Sequence, residues 1–174
     1  MQKFIEAHPW LLGLEYAAIR PRQGGPSGTT DFLLERFDGF HDLLELKSPH
    51  DEIIAAPDAF AGAPAPHEYS LSRTLGQALA QAIVYRDRWT RFADHAEELY
   101  GLPHTRDPRL VIVLGRADEL PTHRRQILLE LNRSLHRIEV VPYDVLARRA
   151  TAMLDNVERY LVEAQEAEEP PDSQ

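Results

Sequence analysis

Asp38-Gly39 divides two short apolar runs, Thr30 to Phe37 and Phe40 to Leu46. Asp-Gly between apolar segments is a strong short-range hairpin signal. Two antiparallel strands joined this tightly bring Asp31, early in the leading run, close to Glu45 near the end of the other. Side chains alternate along a strand, so Glu45 and Lys47 project from one face. The hairpin thereby sets two carboxylates and an ammonium on a rigid sheet, converging on one point. Such a group suits holding a divalent cation and activating a water for phosphodiester cleavage. Leu43, Leu44 and Leu46 surround Glu45, and a carboxylate in an apolar strand needs a partner or a metal.

The rest of the chain reads around this hairpin. Residues 2 to 16 read as a helix that Pro9 interrupts or restarts, with Phe4, Ile5, Leu11, Leu12 and Leu14 as packing residues. Arg20 to Gly28 is a Gly- and Pro-rich loop. The Ala/Pro-rich stretch Ile53 to Pro66 reads as a long surface loop. Its place directly after the strand of Glu45 suits a lid or a substrate-contacting edge. Ser70 or Ser72 caps a long helix to Tyr100, with Leu71, Leu75, Leu79 and Ile83 in an i,i+4 line. Leu110 to Leu114 is a strand covered on both faces. A helix at Arg124 to Leu135, a strand at Ile138 to Pro142 and a helix over 143–165 follow. That order predicts an α/β fold, a central mixed β-sheet flanked by helices. It also predicts one domain, 1–162, with an acidic disordered tail, 163–174.

A chain of 174 residues fits one domain with a substantial core. Hydrophobic content of 43% with 27% charged residues is that of a soluble protein. No apolar run approaches the roughly eighteen residues of a membrane span. No leader-like segment opens the chain, so the expectation is a cytoplasmic protein without membrane partners. Zero cysteines exclude disulfides, thiolate catalysis and cysteine-ligated metal sites. The net charge of −9 opposes a nucleic-acid partner. Residues 163–174 hold five acids and no base, however, leaving −4 for the remainder. Arginines also cluster, at Arg20/Arg22, Arg86/Arg88/Arg91, Arg124/Arg125 and Arg148/Arg149. His50, His67, His95, His104, His123 and His136 are scattered without metal-ligand spacing. The glycines at 24, 25 and 28 lack the Lys and Ser/Thr of a phosphate-binding loop, and no Gly-x-Ser-x-Gly element supports a serine hydrolase.

Asp31 followed by Glu45-Leu46-Lys47 resembles the signature of the PD-(D/E)XK nuclease superfamily: an acid, a spacer, then Asp/Glu-x-Lys on a strand. Gln81-Ala82-Ile83-Val84-Tyr85 is similar to the Gln-x-x-x-Tyr helix motif of its RecB-like branch. Phe4-Ile5-Glu6-Ala7-His8-Pro9-Trp10-Leu11-Leu12, Thr30-Asp31-Phe32-Leu33-Leu34 and Leu44-Glu45-Leu46-Lys47-Ser48-Pro49 are similar to the nuclease domain of Shedu anti-phage defence proteins. This resemblance spans about residues 1 to 155. It implies a restriction-endonuclease-like core and a metal-dependent endonuclease acting on DNA, with double strands favoured. It implies that Asp31 and Glu45 ligate Mg²⁺ or Mn²⁺, that the Leu46 carbonyl completes the shell, and that Lys47 orients or deprotonates the attacking water.

Other residues keep two readings. Gln81 and Tyr85, one helical turn apart, are either polar helix surface or contacts to substrate phosphate and Lys47. Glu15 is either the acid that many superfamily members place near the metal or a solvated glutamate. His8 reads mainly as packing, His41 as an outer contact on the strand parity of Glu45, and Asp42 and Asp51 as turn or surface acids. The resemblance further implies a homo-oligomer, and either control by a regulatory partner or a minimal form of the family. Two alternatives stand beside the DNA nuclease: a non-cleaving nucleic-acid-binding or interaction module on the same fold, and an RNA-cleaving relative.

Overall fold

The Asp38-Gly39 hairpin lies at the heart of the sheet. Gly39 takes a φ of +83° at the turn, where a side chain would be strained. In the computed structural model, which describes residues 2–21, 31–55 and 69–168, strands β2 (Phe32–Arg36) and β3 (His41–Leu46) flank that turn. They pair antiparallel with Phe32 opposite Leu44 and Glu35 opposite His41. Strand β1 (Tyr16–Pro21) adds to the free edge of β2, and β6 (Leu110–Val113) and β7 (Ile138–Val141) extend the sheet beyond β3. The order is β1-β2-β3-β6-β7, antiparallel through β3 and parallel from β3 to β7. The mixed α/β sheet expected from the sequence is therefore present.

Strand β1 corrects the expectation of a helix over 2–16. Helix α1 (Gln2–Ala7) ends before Pro9, and a short 3-10 turn covers Pro9–Leu11. Proline disfavours helical geometry in the residue before it, and His8 sits at φ −135°, ψ 67°. Tyr16 to Pro21 then runs extended, with a bulge between Tyr16 and Ala18. Pro21 is tolerated because β1 is an edge strand. The loop expected at 53–66 also begins with structure. Ile53 and Ile54 are buried, and β4 (Ile54–Ala55) pairs antiparallel with β5 (Ser70–Leu71). Residues 56–68, the bulk of that lid or edge, lie outside the described residues.

Alternation divides the sheet into two faces. Leu33, Leu43, Leu110, Ile112, Leu114, Ile138 and Val140 pack into one core with α2 (Arg73–Tyr100) and residues of α3 (Thr122–Ser134). Phe32, Leu34, Leu44, Val111, Val113 and Val141 pack into the other with α1, the 3-10 turn and α4 (Tyr143–Glu168). Residues 31, 45 and 47 share the parity of Leu33 and Leu43, so they belong to the α2 side.

Helix α2 runs unbroken. The Ser72 hydroxyl caps it by accepting from the Leu75 amide at 3.1 Å. Gly101, at φ +64°, ends it in a left-handed cap. Its buried stripe is Leu75, Ala78, Leu79, Ala82, Tyr85, Trp89 and Ala96, while Ile83 is exposed. The i,i+4 line expected through Ile83 thus drifts off the core, as 3.6 residues per turn requires. Helix α4 continues to Glu168, past the boundary expected at 162; residues 169–174 of the expected tail lie outside the described residues. Among the described residues no helix is long and apolar enough to cross a membrane.

Candidate active site

Glu45 is the least comfortable side chain in the sheet. It is 5% exposed, its Oε1 accepts from the Lys47 ammonium at 2.6 Å, and its Oε2 is buried with no partner among the described residues. Burial pushes its carboxyl above the ordinary value; the Lys47 hydrogen bond pulls the other way, and the charge of Asp31 adds to the rise. A lone buried carboxylate oxygen is costly, so it marks a place built for something else.

Asp31 stands one residue before Phe32, whose partner across the ladder is Leu44. Its Oδ2 accepts from the Leu46 amide at 2.9 Å, which fixes the carboxylate against the end of β3. Lys47 Nζ also donates to Gln81 Oε1 at 3.2 Å, tying β3 to α2. An ammonium has three donors and no acceptor. Two point at Glu45 and Gln81, leaving one for an incoming group. The structure therefore brings Asp31, Glu45, Leu46, Lys47 and Gln81 together at the carboxyl end of β3. In sheets with parallel strands, ligands favour the crevice at those ends.

Connections from β6 and β7 hold this end in place. The Lys47 amide donates to the Val113 carbonyl at 2.8 Å. The Tyr143 hydroxyl, at the start of α4, donates to the Lys47 carbonyl at 2.7 Å. Burial raises the Tyr143 phenol above its ordinary value, with further increments from the charges of Asp31 and Asp51. Asp51 Oδ2 accepts from the Ser48 amide at 2.9 Å, the turn role expected of it. Gly115, at φ +62°, bonds its amide to the Ser48 carbonyl at 3.0 Å. A Cβ there would meet the Asp51 carbonyl oxygen at 2.5 Å, so this close approach requires glycine. Tyr143 and Gly115 were not among the sequence candidates. Pro142 before Tyr143 marks a helix start, but nothing local points the phenol at Lys47.

Several candidates lie elsewhere. Glu15 Oε1 accepts from Arg109 at 3.3 Å, beside β6 at the end remote from Glu45, whose partner there is Ile112. Its proposed place among the metal ligands is not what the structure shows, because Arg109 already claims it. Tyr85 is buried in the α2 core while Gln81 is exposed, so the two do not form one polar edge. His8 bonds the Phe4 carbonyl at 2.7 Å and packs between Phe4 and Trp10, the expected packing role. His41 is buried with Nδ1 on the Pro103 carbonyl at 2.8 Å. Asp42, expected at a turn or surface, is 3% exposed. Many clustered arginines are engaged within the chain, among them Arg20 with Glu35, Arg91 with Asp87, Arg124 with Glu52 and Arg149 with Glu139.

Among the described residues no three His, Asp or Glu side chains converge as a metal site. The donor set at hand is two carboxylates and a backbone carbonyl, all hard oxygens, with one carboxylate oxygen unpartnered. That set fits a cation such as Mg²⁺, which keeps several waters and takes few protein ligands.

Residues 1–147 match the family described as Shedu protein SduA, C-terminal. The chain belongs to that family. The match takes in all of the site, from Asp31 through Gln81 to Tyr143, and ends in the first turns of α4. No curated protein matches this Shedu-family chain.

Proposed function

We propose that this Shedu-family chain is a metal-dependent nuclease of the PD-(D/E)XK type that hydrolyses phosphodiester bonds in DNA and serves anti-phage defence. The observation that carries the reading is the buried, half-satisfied Glu45 held beside Lys47 and Asp31. A divalent cation would be held by Asp31, the free oxygen of Glu45 and the Leu46 carbonyl. Bound there, it would draw charge from the scissile phosphate. Lys47 spends two donors on Glu45 and Gln81 and offers the third to the attacking water or a phosphate oxygen. Gln81 fixes the ammonium without adding charge. The Leu46 amide holds one oxygen of Asp31, and the other would serve the cation.

The test is cleavage of linear duplex, nicked and single-stranded DNA, with RNA in parallel, in Mg²⁺, Mn²⁺ or EDTA. Lys47→Ala and Asp31→Ala should each lower metal-dependent cleavage by ~10²–10⁴-fold. Full cleavage by both variants would falsify the assignment. A second reading, a non-cleaving module on the same fold, draws on the lack of a third converging acid among the described residues. It predicts nucleic-acid binding without hydrolysis in any metal.

A further inference from the structure

Two hydrogen bonds fix how α2 lies on the sheet. On one flank Gln81 accepts from Lys47 at the end of β3. On the other, Arg86 donates to the His136 carbonyl at 2.7 Å, just before β7. With the strands in the order β1-β2-β3-β6-β7, the Gln81 flank looks toward the β2 side of the site.

At 100° per residue, Arg73, Gln77, Gln81, Arg88 and His95 share an arc of about 80° with Val84 and Arg91. All of them are exposed. The arc holds three arginines and no acid, in a chain of net charge −9. The acids of the helix, Asp87, Asp94, Glu97 and Glu98, lie outside it. A merely solvated helix face mixes both signs, as the rest of the exposed surface of α2 does. Arg91 shares its charge with Asp87. Arg73 and Arg88 have no ion-pair partner among the described residues.

We propose that this flank is the track on which the phosphate backbone of the DNA lies, with Arg88 and Arg73 holding phosphates on either side of the one attacked at Lys47. The inference rests on the nuclease reading above and adds positioning residues outside the group of Asp31, Glu45 and Lys47. Gln81 joins track and reacting centre, since one side chain stands on the arc and holds the ammonium. Arg88 lies two turns beyond Gln81, about 10 Å along the axis, and Arg73 about 12 Å before it. One strand of duplex DNA advances about 3.4 Å per phosphate along its axis, so both arginines fall about three phosphates from the centre. A guanidinium grips phosphate oxygens with two parallel donors. Contacts of this kind set the register of the strand without reading its bases. An acidic chain approaches a polyanion only where the local field is reversed, and this flank supplies that place beside the site.

The experiment measures binding of a short labelled duplex with Ca²⁺ in place of Mg²⁺, and steady-state cleavage of the same duplex in Mg²⁺, over a range of salt. Wild type is compared with Arg88→Gln, Arg73→Gln/Arg88→Gln and, as a control on α3, the exposed Arg125→Gln. Every substituted side chain is exposed, and circular dichroism checks that each variant folds. Each arginine removed from the track should flatten the slope of log affinity against log salt by about 1, and the double variant by about 2. KM should rise several-fold with kcat near wild type, while Arg125→Gln changes neither. Arg88→Lys keeps the charge and should recover most of the slope. Cleavage that depends on Lys47, with KM and salt slope unmoved in the double variant, would overturn the track and leave the nuclease reading standing. An equal loss in Arg125→Gln would overturn it as well, by showing a response to overall charge. A wild type that neither binds nor cuts the duplex would overturn both.

Discussion

Asp42 and Glu45 sit three residues apart on one buried strand, yet the chain treats them in opposite ways. Every strong contact of Asp42 is made. Its Oδ1 accepts from the Arg109 amide at 2.8 Å, its Oδ2 accepts from the Tyr16 hydroxyl at 3.0 Å, and Arg36 lies 3.8 Å away. Glu45 has one oxygen on Lys47 and the other buried with nothing. Alternation explains how both fit: Asp42 has the parity of Leu44 and the α4 face, Glu45 that of Leu43 and the α2 face. A buried acid with all its bonds made is a rivet, joining β1, β3 and β6. A buried acid left half-bonded among the described residues is a candidate site, with one oxygen still to be partnered.

The contrast is broken most forcefully at the rivet. Asp42→Ala strands the Tyr16 hydroxyl and the Arg109 amide around a cavity and leaves the Arg36 guanidinium to Asp38. Removing one side of a buried charged network costs ~3–5 kcal/mol. In a chain of this size that lowers Tm by about 6–20 °C. Thermal unfolding checks it, and a drop of only a degree or two would show that Asp42 holds nothing together.

The unequal legibility of these residues has a physical basis. The hairpin, the long capped helix and the β6 run were readable because their signals are local: a turn pair, a cap, a continuous apolar stretch. Asp31, Glu45 and Lys47 inherited that clarity, since hairpin register alone sets them together. Strand β1 was hidden because Tyr16-Ala17-Ala18 has no strand pattern of its own and gains its form from pairing with β2. Asp42 looked like a turn acid because its partners, Tyr16 and Arg109, lie 26 and 67 residues away. Tyr143 lies 96 residues from Lys47 and was invisible for the same reason. The split of Gln81 from Tyr85 was in principle readable, from the three- and four-residue spacing of the buried stripe on α2.

At the site the expected sign reverses. Burial holds the Glu45 carboxyl above its ordinary value of 4.5, with Lys47 opposing and Asp31 assisting. The folded state therefore binds this proton more readily than the unfolded chain does. Ionised Glu45 subtracts stability, and the loss grows as pH rises from the ordinary value through the raised one. Glu45→Gln removes that loss. It should raise Tm at neutral pH, while cleavage disappears. The advantage should shrink as pH falls below the ordinary carboxylate range. Added Mn²⁺ should stabilise the wild type more than the variant. A variant less stable than wild type at neutral pH, with a gap indifferent to pH, would mean that Glu45 is a second rivet.

The finest comparison is between two tyrosines that serve the two acids. The Tyr16 hydroxyl donates to a carboxylate, the Tyr143 hydroxyl to the neutral carbonyl of Lys47. Hydrogen bonds to charged groups contribute ~1.5–3 kcal/mol and neutral ones ~1 kcal/mol. Tyr16→Phe should therefore cost more stability than Tyr143→Phe, which should lower Tm by about 2–4 °C. Activity should rank them the other way. Without its anchor the Lys47 backbone can shift, and a misplaced ammonium serves the transition state less well than the ground state. Tyr143→Phe should then lower kcat several-fold with KM little changed, whereas Tyr16→Phe at a temperature where it is fully folded should leave kcat near wild type. Equal kcat values for the two variants would show that Tyr143 is only a fastening of α4, and that the geometry of Lys47 is secured by Glu45 and Gln81 alone.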